Sequence, residues 1–72
     1  MEIRMHEFRI KQIEMGYSVA LASAMRGSRA GFVRVELKRN LDFVRSHCSS
    51  EVQQLYNDAL AWLQGTPITA SR

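Results

Sequence analysis

SEVQQLYNDALAWLQG, residues 50–65, reads as one amphipathic helix, and its apolar face sets the fold of everything around it. At 100° per residue Val52, Leu55, Tyr56, Ala59, Leu60, Trp62 and Leu63 fall within an arc of about 160°. Gln53, Gln54, Asn57 and Ala61 take the other side. Ser49 or Ser50 can cap the N-terminus, and Glu51 places an acid in the first turn, where the helix dipole favours it. Gly65 suits the C-terminal end and Pro67 stops continuation. A helix this apolar along one face needs cover, and the remaining chain must provide it.

Working back from Ser49, residues 30–47 read as a helix of their own. Val33, Leu37, Leu41, Val44 and Cys48 form one stripe, while Phe32, Val35 and Phe43 occupy the far side. Arg34, Lys38 and Arg45 run between the two as a basic ridge. Arg26-Gly27-Ser28-Arg29 is the break before it; Gly27 is placed to end a helix and Ser28 to cap the next one. Residues 2–25 read as a long first helix, with Ile3, His6, Ile10, Ile13, Tyr17, Leu21 and Ala24 on one stripe. Met1, Met5, Phe8, Met15, Val19 and Ala22 lie roughly opposite. Gly16 falls mid-pattern at a cost of about 1 kcal/mol against alanine and predicts a kink or a break.

The expected fold is therefore all-α: two or three antiparallel amphipathic helices with short turns in one domain, residues 1–65, with 66–72 as a frayed tail. A chain of 72 residues is short for a self-sufficient core. Its single cysteine, Cys48, rules out an internal disulfide and suggests a reducing, cytoplasmic setting. No secretory signal or membrane-spanning run is read: charges recur throughout residues 1–14, and no apolar run approaches the ~20 residues a span needs.

The first two helices each carry a second apolar face, which one small bundle has no room to hide. A helical homodimer is the plainest cover, with Ile3, Met5, His6, Ile10, Ile13 and Tyr17 as its interface. A partner protein is the alternative cover. Phe8, Met15, Phe32 and Phe43 would anchor it, with Arg34, Lys38 and Arg45 steering, since aromatic and arginine side chains dominate interface energies.

Net charge is +3, and it is concentrated. Residues 26–47 hold Arg26, Arg29, Arg34, Lys38, Arg39 and Arg45 against Glu36 and Asp42, a balance of +4. Such a segment attracts an acidic protein surface or a phosphate backbone. VALASAMRGSRAGFVRVEL, residues 19–37, has an outline similar to a helix-turn-helix, which implies DNA binding as a second reading. Arg26 stands where that pattern has its turn glycine, and Gly27 where it has an apolar residue.

No catalytic set is read. His47 and Cys48 are neighbours on a helix and diverge by about 100°, so the imidazole is poorly placed to activate the thiol. His6, His47 and Cys48 are the whole soft-ligand inventory and lack metal-binding spacing, so neither a metal nor a cofactor is expected. No phosphate-cradling glycine loop is present. In size and character the chain resembles the small regulatory proteins of bacteria and their phages. The expectation is a non-enzymatic regulator that binds another protein and inhibits it.

Overall fold

In the computed structural model the backbone is described for residues 2–65 and the side chains for residues 6–65; the expected tail lies outside them. Within residues 50–65 the chain is helical over Ser50–Leu63 (α4). Ser49 is its N-cap: Ser49 Oγ accepts from the Val52 N–H at 3.4 Å, while Glu14 Oε2, from the first helix, accepts the Ser49 N–H at 3.2 Å. Two otherwise orphaned donors are thus satisfied, one of them by a residue 35 positions away. At the other end Gly65 has φ +79° and donates its N–H to the Trp62 carbonyl at 3.1 Å. Glycine enters that left-handed region without the penalty a Cβ brings.

The other elements are α1 (Glu2–Gln12), a π-helical turn (Ile13–Tyr17), α2 (Ser18–Arg26) and α3 (Ala30–His47). Backbone angles stay helical through both junctions of the π turn, so residues 2–26 form one continuous rod. The fold is all-α, with no strand among the described residues. No described helix is long and apolar enough to cross a membrane.

The core is built from Ile13, Leu21, Ala24, Val33, Leu37, Val44, Cys48, Tyr56 and Ala59. Ile10, Leu41, Phe43, Val52, Leu55, Leu60, Trp62 and Leu63 pack around it half-buried. Three- and four-residue steps generate most of these positions. The exception is the step from Ile13 to Ser18, which is five residues long. The π turn inserts one extra residue there, so Ser18 faces inward and Tyr17, expected on the buried stripe, is 38% exposed. Ser18 Oγ donates to the Glu14 carbonyl at 3.0 Å, occupying an acceptor within the widened turn. Gly16 lies inside this turn, so in place of the anticipated break there is an insertion within a continuous helix.

The α2–α3 connection also departs from expectation. Gly27 ends α2 with an ordinary negative φ, and Ser28 adopts the left-handed conformation at φ +58°. The Ser28 N–H reaches the Met25 carbonyl at 3.1 Å and the Arg29 N–H reaches Ala24 at 2.8 Å. This is the paired closure of a Schellman turn. Ser28 does not cap α3; Arg29 holds that position and makes no side-chain cap bond.

Candidate functional site

Two regions of the surface carry unusual chemistry. The first is apolar. Phe8, Met15 and Val19 on the first helix are 64, 77 and 61% exposed, and Phe32 and Val35 on α3 are 42 and 55% exposed. Lys11, Gln12, Met15, Gly16, Tyr17 and Ala20 line a shallow open groove of about 510 Å3 over the π turn. A Cβ added at Gly16 would meet no atom within 4 Å, so the glycine is not required by packing. The contacts Arg9–Asn40 and Ser23–Arg29 join the first helix to α3 near both ends. Met15, Tyr17 and Val19 fall between them on one helix, and Phe32 and Val35 on the other.

Of the basic ridge, Arg34 and Lys38 are exposed on α3. Arg45 is exposed too, but its guanidinium is engaged: Nε and Nη2 donate to Asn57 Oδ1 of α4 at 3.2 and 2.9 Å. It therefore joins α3 to α4 instead of standing free beside Arg34 and Lys38.

The second region lies where α1 meets the C-terminal half of α3. Phe43 was expected on a free face. It is half-buried and packs on the core, because α1 crosses it. The Arg9 guanidinium carbon sits 4.2 Å from the Phe43 ring centroid, within cation–π range. The His47 ring stacks on Phe43 at 4.4 Å, and His6 meets Phe43 edge-on at 5.7 Å and His47 at 4.6 Å. His47 Nδ1 lies 3.3 Å from the Phe43 carbonyl oxygen.

Beneath this cluster runs a buried polar chain that the pattern of apolar residues did not mark. Arg9 Nη2 donates to Asn40 Oδ1 at 2.8 Å and to the Arg39 carbonyl at 3.3 Å. Asn40 Nδ2 donates to Glu36 Oε2 at 2.6 Å, and the Tyr56 hydroxyl donates to the same oxygen at 2.8 Å. Glu36 and Asn40 are nearly fully buried and Tyr56 wholly so. Burial, then the hydrogen bond to Glu36, pushes the Tyr56 phenol well above its ordinary range. The signal was present: 33, 36, 40 and 44 are successive helical steps, which puts Glu36 and Asn40 on the core stripe of α3.

The expected dimer set divides. Ile13 is completely buried in the chain's own core and so is not available to a second copy, and Ile10 is half-buried against that core. His6 and Tyr17 are exposed. Ile3 and Met5 lie outside the described side chains. Burial, helped by the nearby Glu14 charge, pushes the Cys48 thiol up and keeps it in its protonated, weakly nucleophilic form. His47 is turned toward Phe43 and His6.

No protein-family model, curated protein or solved structure matches this chain.

Proposed function

We propose that this chain is a non-enzymatic protein-binding regulator that docks on a partner protein and inhibits it. Its helices are taken as antiparallel neighbours, and the docking face is the outward side of the first helix together with the start of α3. One observation carries the reading. Phe8, Met15, Val19, Phe32 and Val35 remain 42 to 77% exposed after the chain has formed a core of its own. Single exposed apolar residues are ordinary, but several on one pair of helices mark an interaction surface. Arg34 and Lys38, exposed on the same helix as Phe32 and Val35, supply orientation by charge. Tyr17, delivered outward by the π turn, joins this face, and Phe43 and Arg45 leave it. Pairing of two copies through the same helices is the accompanying proposal for the free chain.

The test is affinity capture from the source cell, repeated with Met15→Ser and Phe32→Ser. Both positions are exposed, so the helical circular dichroism should persist while the captured protein is lost. Retention of the same protein by both variants would place the docking face elsewhere. Exposed Arg26 and Arg29 at the α2–α3 turn, with Arg34, Lys38 and Arg39 along α3, favour the second reading, binding to DNA. A mobility shift with random duplex distinguishes it: DNA affinity falls steeply with salt, with a slope near about −0.9 per phosphate contacted.

A further inference from the structure

The fold brings together the only two histidines of the chain, His6 on α1 and His47 at the end of α3, with ring centroids 4.6 Å apart. We propose that this pair is a binding site for a divalent transition cation of the Zn2+, Ni2+ or Cu2+ type, and that the cation tethers α1 to α3.

Three observations support the site. The first is spacing. Two imidazoles sharing one cation, each with a metal–nitrogen bond of about 2.0–2.1 Å, place their ring centres roughly 4.5–5.3 Å apart at tetrahedral to right-angle geometry. The rings already stand at that separation. The second is the tautomer. A carbonyl oxygen only accepts, so the His47 Nδ1 contact to Phe43 at 3.3 Å calls for a proton on Nδ1 and leaves the Nε2 lone pair open. A ligating histidine commonly holds its other nitrogen on a backbone carbonyl in this way. The third is orientation. His47 is stacked on Phe43, which fixes its plane, while the exposed His6 meets His47 edge-on at 60° and turns about χ2 on binding to aim a nitrogen at the same point.

Imidazole selects Zn2+, Ni2+ and Cu2+ over Mg2+ and Ca2+, which prefer oxygen. Among the described residues no group of three or more His, Cys, Asp or Glu is placed to hold a metal. Among those residues the site offers two ligands, with water completing the coordination. Arg9 is a nearby cation, but its guanidinium is directed onto the Phe43 ring and the Asn40 oxygen.

The consequence lies in α1. Of its described side chains only Ile10 is partly buried, and among them Arg9 and His6 make polar or ring contacts with α3. A cation joining His6 to His47 would add a bond across that seam. Binding to the folded state alone then raises the stability of the docked helix.

The experiment is titration of ZnCl2 and NiCl2 into the full chain, read by NMR of the imidazole protons, amide exchange of α1 and the thermal midpoint, with EDTA reversal. The expected result is joint perturbation of His6 and His47 at one cation per chain and slower exchange in α1. With the cation at about ten times its Kd, the midpoint should rise by roughly 5–10 °C. His6→Gln and His47→Gln each remove these effects, and Cys48→Ser retains them. Several results would overturn the site: unchanged imidazole signals, an equal response in either glutamine variant, loss of the response in Cys48→Ser, or the same response to MgCl2. Half a cation per chain would overturn it in favour of a site shared by two copies.

Discussion

Tyr56 shows how a single hydroxyl fixes the interior of this small protein. Its ring fills the centre of the core, and its O–H reaches Glu36, which Asn40 also holds. A buried carboxyl group needs such donors, because burying an unpartnered polar atom is expensive. Tyr56→Phe keeps the ring and deletes the donor, so it should cost about 1–3 kcal/mol in urea unfolding near neutral pH. The same residue sets an alkaline limit. Its phenol is held above the ordinary value of 10.0 in the fold, whereas in the unfolded chain it ionises at that value. The stability this contributes is complete below about pH 10 and declines above it, as only the unfolded chain releases the proton. Cys48 acts in the same direction from its ordinary 9.0. Urea midpoints between about pH 8 and 11 should fall steeply for the native chain. They should fall less steeply for Tyr56→Phe, in which only the Cys48 part of these two remains. Parallel curves for the two proteins would rule out Tyr56 as the source.

Element boundaries here are decided by local backbone chemistry, and they are unequal in quality. Gly65 occupies its left-handed position without strain, but the equivalent position after α2 is filled by Ser28 at φ +58°. Its neighbour Gly27, one residue early, has a φ that any residue could adopt. Ser28→Gly should therefore stabilise the chain by about 1 kcal/mol, visible as a rise of roughly 4–8 °C in the thermal midpoint. A fall would mean that the serine side chain holds the turn by a bond that outweighs its strain. The helices themselves were legible in the sequence because 3- and 4-residue spacing dictates which side faces inward, and Val33, Leu37, Val44, Tyr56 and Ala59 obey it. The π turn was not, because one extra residue between Ile13 and Ser18 moves Tyr17 off the buried stripe and Ser18 onto it, while Leu21 and Ala24 stay where the spacing puts them. Gly16 signals only that something interrupts the pattern. Nor could spacing reveal that α1 would cover Phe43 or bring His6 to His47. Those contacts depend on how two helices meet, not on the period of either one.

Among the described residues two groups of cations differ in what they touch. Arg9, Arg29 and Arg45 donate to neutral oxygens of Asn40, Ser23 and Asn57 and help hold the helices in place. Arg34 and Lys38 project from the exposed side of α3, on the same helix as the uncovered Phe32 and Val35. This division assigns different kinetic roles. Exposed charge acts at a distance of about a Debye length, ~8 Å at physiological salt, and so accelerates encounter. Apolar area acts only after contact and so slows departure. With the captured partner in hand, Arg34→Ala combined with Lys38→Ala should reduce the association rate roughly three- to tenfold at low salt, flatten its salt dependence and leave dissociation nearly unchanged. Phe32→Ser should do the reverse, raising the dissociation rate with little change in association. Stopped-flow measurements at two ionic strengths separate the two behaviours. If the double alanine variant associates as fast as the native chain at both, the ridge plays no part in steering, and the apolar face alone must account for recognition.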